Sequence, residues 1–388
     1  MNRENFKKPS GRLIQAGQGN ATYLAFIPNP LPPDINWDTE LIQALSNADR
    51  ALGELAGLGR TIPNPHLLIS PFLRREAVLS SRIEGTQADI TDLYVYEAGQ
   101  LPLPGIGMTS SEDDVHEVLN YVRALEHGLQ RLNELPVSLR LIRELHEQLM
   151  KGVRGEQATP GFFRRSQNWI GAPNCTLSEA SFVPPPVQEM EEALSAFEKY
   201  LHEDSSTPPL VRLALIHYQF EAIHPFIDGN GRIGRLLISL LSVHWNLLPL
   251  PLLYLSAYFE RYRSGYYDLL MSISQASAWR EWLLFFLRGV AEQSKDAVKR
   301  AKQLQDIQTA WREVLQQVSR SSQTLRVADI LFDEPVISAQ RIVERLGCSH
   351  QSAMHILHRL EELEIIQVMN ERKRNRLYYA PMIFSVLQ

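Results

Sequence analysis

His224-Pro225-Phe226-Ile227-Asp228-Gly229-Asn230-Gly231-Arg232-Ile233-Gly234-Arg235 puts an imidazole, a carboxylate, a glycine-rich turn and two guanidinium groups into one short run of the chain. Apolar residues before it (Leu213, Leu215, Ile216, Phe220, Ile223) and after it (Ile233, Leu236, Leu237, Leu240, Leu241) recur at three-to-four spacing, which predicts helix, tight loop, helix. Pro225 disfavours helical geometry at His224 and marks the end of the first helix, while Gly229 and Gly231 let the backbone turn where a side chain would clash. Consecutive N–H groups at Gly229, Asn230 and Gly231 would then point one way, at the positive end of the second helix, an arrangement suited to phosphate. Arg232 and Arg235 extend this positive pole, Asp228 can hold Mg²⁺ bridging phosphate oxygens, and His224 can accept a proton near neutral pH. The set fits phosphoryl or nucleotidyl transfer.

Gly229-x-Gly231-x-x-Gly234 also fits the dinucleotide pattern, but that pattern follows a strand and has an acid about twenty residues on. Here a helical segment precedes it and no Asp or Glu occurs between Asp228 and Glu260. A plain capping turn beside a buried histidine would not require this concentration of polar and glycine residues. The run resembles the Fic motif, H-P-F-x-[D/E]-G-N-G-R-x-x-R, at every specified position. The resemblance implies an all-helical core that transfers AMP from ATP to a hydroxyl side chain of a protein, releasing pyrophosphate. By motif position, His224 would activate the target hydroxyl, Asp228 would bind Mg²⁺, Gly229, Asn230 and Gly231 would cradle phosphate, and Arg232 and Arg235 would hold the β- and γ-phosphates. The phosphorylating Doc branch lacks the second glycine of this loop; Gly231 favours AMP transfer.

At 388 residues and 44% hydrophobic content the chain can bury a sizeable core in two or three domains. The net charge of −5 gives no global pull toward nucleic acid or anionic lipid. Cys175 and Cys348 are too few for a disulfide framework, so a cytoplasmic setting is natural, and no secretory signal is visible. Leu236 to Phe259 carries no charge and is long enough to span a bilayer, but Pro249 and Pro251 read better as a loop between two buried helices.

Residues 1 to about 35 read as loop, and Trp37 to Leu58 as a scaffold helix. Ser70 to Gly85 reads as a helix with Ser70 at the N-cap, Pro71 in the first turn and Gly85 as the stop. On residues alone it is an amphipathic helix with a surface acid. Ser80-x-x-x-Glu84-Gly85 resembles the Fic inhibitory motif, [S/T]-x-x-x-E-[G/N], of the second class of the family. That implies a bidentate Glu84–Arg235 pair that denies the γ-phosphate its partner.

His116-Glu117, His146-Glu147 and His202-Glu203 lack the second histidine of a zinc motif and read as solvated helix faces. The resemblance places Phe182, Val183 and Pro184 in a flap whose extended backbone would add a strand to a target peptide. Tyr266 is a candidate for adenine or ribose contact, and core packing is the commoner use of such a tyrosine. Lys295 to Val318 reads as a connecting helix.

After it, three helices and a hairpin around Asn370 to Asn375 resemble a winged helix-turn-helix. On DNA, Ser349, His350 and Gln351 would meet base edges and Arg372, Lys373 and Arg374 would meet phosphate. The balance of eight Lys or Arg against eight Asp or Glu in residues 323–388 instead favours protein contact.

The expected fold is mainly all-α: an N-terminal helical subdomain (1–105), a Fic core (106–294), a connecting helix (295–322) and the winged module (323–388). The expected activity is protein adenylyltransferase with ATP and Mg²⁺, restrained by Glu84. Partners would be a target protein, the chain itself as a self-modification substrate, or a second copy, and no membrane. Two alternatives stand beside it: AMP removal at the same site by phosphodiester hydrolysis, and a DNA-binding regulator whose core only senses nucleotide.

Overall fold

The computed structural model describes the chain apart from residues 18–21, 62–64, 100–109, 154–158, 173, 319–321 and 370–375. It opens, against the loop expected there, with an antiparallel hairpin: β1 (Gly11–Ala16) pairs with β2 (Tyr23–Pro28) in the register Gly11↔Pro28 to Ala16↔Tyr23. Ala25, Phe26 and Ile27 of β2 are buried. Helices α1 (Thr39–Thr61), α2 (His66–Ile83), α3 (Ile90–Glu97), α4 (Glu112–Arg131) and α5 (Leu139–Leu149) follow. They lead to α6 (Val187–His202), α7 (Pro209–Ile223), α8 (Asn230–His244), α9 (Ser256–Arg261), α10 (Arg263–Ala276) and α11 (Trp279–Val318).

Helix α2 begins a turn earlier than expected and carries Pro71 in its interior. Pro71 removes one backbone donor. Ser70 does not cap; its hydroxyl bonds Asp333 and accepts from Arg74. Gly85, at φ +104°, ends the helix as its sequence suggests.

The segment from Lys295 is not a separate connector. It is the second half of α11, whose buried Ala297, Val298, Ala301, Leu304, Ile307, Trp311 and Leu315 continue one apolar stripe at helical spacing. Helix α11 packs along α1, tying the two ends of the core together.

The C-terminal region adds α12 (Ser322–Ile330), β3 (Val336–Ser338), α13 (Ala339–Leu346), α14 (His350–Glu362), β4 (Gln367–Val368), β5 (Leu377–Tyr379) and α15 (Pro381–Leu387). Its strands form an antiparallel sheet in the order β3-β5-β4. Ser338 and Ser349 cap α13 and α14, and Gly347 at φ +65° makes the turn between them. Arg372, Lys373 and Arg374 lie outside the described residues. The region docks on the core through α2: Asp333 meets Ser70, and Arg75 Nε donates to the Leu387 carbonyl at 3.1 Å. No helix among the described residues is long and apolar enough to cross a membrane.

Candidate active site

Helices α7 and α8 pack against each other and present the loop between them at one end. Helix α7 is buried almost all round, which fixes where it delivers His224. His224 closes that helix in the left-handed region, at φ 50°. The imidazole swings back so that Nδ1–H donates to the Glu221 carbonyl at 3.2 Å, leaving Nε2 as the free acceptor. Burial pulls its pKa down to about 4, only partly countered by that bond, so the ring is a neutral base at physiological pH.

The loop is held from behind by Arg164 and Asn168, which carried no sequence signal, and by the side chain of Asn230. Arg164, 1% exposed, donates from Nε to the His224 carbonyl at 3.0 Å and from its backbone N–H to Pro225 at 2.9 Å. Burial lowers the Arg164 pKa to about 10. Asn168 Nδ2 donates to the Phe226 carbonyl at 2.7 Å. The Asn230 side chain turns inward, accepting from the Phe226 N–H and returning a bond to its carbonyl, both at 2.9 Å.

Helix α8 starts at Asn230 behind Gly229, which has φ +78° and no capping side chain. The backbone N–H groups of Asn230, Gly231 and Arg232 find no acceptor among the described residues, so a helix N-terminus stands open for an anion. What lies there is the Glu84 carboxylate. A Cβ added to Gly231 would fall 2.2 Å from Glu84 Oε1, so a glycine is required for that approach. The same oxygen accepts from Arg235 Nη2 at 2.7 Å. Arg235 is 2% exposed and completes its bonds through Ser80, Nε to the hydroxyl at 2.8 Å and Nη2 to the carbonyl at 3.0 Å. The Glu84–Arg235 contact is single rather than the bidentate pair anticipated: the carboxylate accepts from Nη2 alone, and Ser80 takes the Nε–Nη2 edge of the guanidinium. Burial raises the Glu84 pKa, but Arg235 outweighs it and holds the carboxyl below its ordinary range.

Glu84, His224, Gly231 and Arg235 line one cavity of about 830 Å³, with Glu221, Tyr266, Tyr267, Met271, Ser181 and Phe182. Asp228 lies two residues before the start of α8, its side chain 53% exposed and 3.8 Å from Arg232. A lone accessible carboxylate beside an anion cradle suits Mg²⁺, which takes one or two protein carboxylates and draws its other ligands from phosphates and water. No cluster of three His, Cys, Asp or Glu fit for a metal occurs among the described residues.

Arg232 is not among the residues lining this cavity; its Nη1 lies 3.6 Å from Glu117, and neither Nε nor Nη1, both buried, makes a hydrogen bond. The Tyr266 hydroxyl is spent: His217 Nδ1–H donates to Gly234, so Nε2 accepts from Tyr266 at 2.9 Å, and only the tyrosine ring is left to face a ligand. The flap differs from its expected use. Phe182 exchanges both backbone bonds with Ile170, and the Val183 carbonyl accepts from Phe26 of β2. With β2 on one side and Ile170 on the other, a strand cannot be added at Phe182 and Val183. Pro184 offers only its carbonyl, which accepts from Gln167. Glu221 escaped notice in the sequence. It is one turn before His224, its Oε1 is buried without a partner, and burial raises its pKa to about 8. Nor does His146 occupy a solvated face: it is 0% exposed beneath the loop.

This loop, between these two helices, marks a member of the Fic/DOC family, to which the chain belongs. The Fic/DOC N-terminal profile matches residues 42–130 and the Fic/DOC profile residues 136–242. Protein adenylyltransferase Fic of Drosophila virilis is 31% identical over 163 residues, which are 41% of this chain and 30% of that protein. The protein of the same name from Drosophila willistoni is also 31% identical over 163 residues, 41% of this chain and 29% of its own length. The matched stretch thus spans less than a third of those relatives. A Fic family protein from Desulfovibrio desulfuricans shares the fold at a TM-score of 0.57 and 19% identity, over 90% of this chain and 98% of that one.

Proposed function

We propose that the chain transfers AMP from ATP to a hydroxyl side chain of a protein, releasing pyrophosphate, and that Glu84 restrains it. The observation that carries this reading is the Glu84 carboxylate lying on Gly231 and paired to Arg235, an anion seated where a helix N-terminus and a buried guanidinium would otherwise hold phosphate. Family membership and the adenylyltransferase naming of its relatives support the same chemistry.

With Glu84 displaced, the N–H groups of Asn230 and Gly231 and the Arg235 guanidinium would bind the triphosphate oxygens. Asp228 would hold Mg²⁺, which when bound draws charge from the phosphate oxygens. His224 Nε2, unprotonated and free, would take the proton of the incoming Tyr, Thr or Ser hydroxyl as its oxygen attacks the α-phosphorus. The bond from that phosphorus to the bridging oxygen breaks and pyrophosphate leaves. A cytoplasmic site of action accords with two unpaired cysteines. The C-terminal helices and sheet are proposed as a winged helix-turn-helix that contacts protein, with Ser349, His350 and Gln351 exposed at the start of α14.

The test is mass spectrometry of Glu84→Gly protein incubated with ATP, Mg²⁺ and cell lysate. An added AMP on a Tyr, Thr or Ser supports the reading. Its absence from every protein, this chain included, removes it.

A further inference from the structure

The last turn of α5 carries a histidine that the transfer chemistry does not use. The His146 ring stacks on Phe226 of the loop, centroids 3.7 Å apart and planes 5° from parallel. Both nitrogens are committed. Nδ1 accepts from the Gly161 N–H at 3.0 Å, so the neutral ring carries its proton on Nε2, and that N–H donates to the Asp228 carbonyl at 3.0 Å. From the same turn, Met150 and Leu149 close against Gly229: a Cβ there would meet them at 3.0 and 3.3 Å.

The Asp228 carbonyl is one end of the Asp228–Gly229 peptide. In a trans peptide the C=O and the following N–H point opposite ways. Fixing the carbonyl toward α5 therefore fixes the Gly229 N–H on the other side, where it donates to Asp228 Oδ1 at 2.6 Å. Glycine tolerates several backbone conformations, so the loop's own sequence does little to choose between this peptide orientation and its reverse. The reverse would set a carbonyl against the Asp228 carboxylate and an N–H against the Nε2–H of His146, two acceptors facing each other on one side and two donors on the other.

We propose that His146 is a positioning residue that selects this peptide orientation, keeping the Gly229 N–H on the side away from α5, where it holds the Asp228 carboxylate in place; this rests on the loop being a triphosphate site.

The experiment uses the full chain with Glu84→Gly as parent. His146→Phe keeps an aromatic ring on Phe226 and removes both hydrogen bonds, and His146→Gln keeps a donor near the position of Nε2. The crystal structure of the His146→Phe protein is expected to show the 228–229 peptide reversed or split between two orientations. A single, unreversed peptide overturns the proposal. By calorimetry, His146→Phe should bind Mg·ATP about tenfold more weakly, the loss of roughly one well-made hydrogen bond. Adenosine binding should be unchanged, and His146→Gln should recover most of the loss. Equal Mg·ATP affinity in parent and His146→Phe, or no recovery in His146→Gln, overturns it. If the parent binds no nucleotide while the peptide still reverses, the transfer reading falls and the positioning role of His146 stands.

Discussion

Removing Glu84 should strengthen nucleotide binding and weaken the empty protein at once, and both effects can be sized from the pair it forms. Its Oε1 accepts from Arg235 Nη2 at 2.7 Å, with side chains 35% and 1% exposed. A hydrogen bond between charged groups contributes about 1.5–3 kcal/mol, and exposure of the carboxylate lowers this toward roughly 1–2 kcal/mol. A triphosphate taking that place must offset this amount. Glu84→Gly should therefore bind Mg·ATP roughly five- to thirtyfold more tightly, with Glu84→Gln in between because it keeps a neutral acceptor on Gly231. Without ligand the same change leaves Arg235 buried with Ser80 alone, and the melting temperature should fall by about 2–4 °C. Calorimetric titration and thermal melts with and without Mg·ATP measure both. If Glu84→Gly bound Mg·ATP no more tightly than the parent, the carboxylate would not be occupying a phosphate position.

Three further outcomes follow from the same geometry. His224→Ala should abolish transfer in the Glu84→Gly background while Mg·ATP affinity stays within about twofold, since the imidazole meets the hydroxyl rather than the phosphates; with a His224 pKa of about 4, radiolabel transfer by the parent should hold at pH 6 and fall as pH drops through 4. Burial lowers His146, His217 and His224 to about 4, 3 and 4, whereas in the unfolded chain they protonate near the ordinary 6.5. Stability from these residues is full above that value and lost as pH falls from it toward 4; Glu76 and Glu221, raised by burial to about 7 and 8, lose theirs as pH rises through those values, so thermal melts across pH should peak at roughly pH 6. In gel-shift titrations at low salt, the full chain should give no duplex binding that depends on Arg372, Lys373 and Arg374; such binding would move the C-terminal region from protein contact to nucleic acid.

What could be read from sequence is what depends on local order. The helix, turn and helix around His224 and the glycine stop at Gly85 are both set by neighbours within a few positions. The parts that escaped depend on distant partners. Arg164, Asn168 and His146 each bind a backbone carbonyl of the loop, and a carbonyl leaves no residue type in the sequence by which a partner might be sought. His146 read as a surface residue because its Glu147 neighbour is polar, yet a one-residue step along a helix turns by about 100°. β1 and β2 were hidden among prolines, and β2 is apolar through Ala25, Phe26 and Ile27 without the alternation that marks a half-buried strand. The sequence does not show either that Glu84 meets Arg235 through one bond while Ser80 bonds Nε and Nη2.

Helix α2 serves two masters. Ser70 in its first half and Arg75 at its middle are fastened to Asp333 and Leu387, while Ser80 and the cap residue Glu84 toward its finish hold Arg235. Eighteen residues of α-helix make a rod of about 27 Å, stiff along its axis. The C-terminal region and the acid at the mouth of the cavity thus hang on one helix, like two brackets fixed to a single rail.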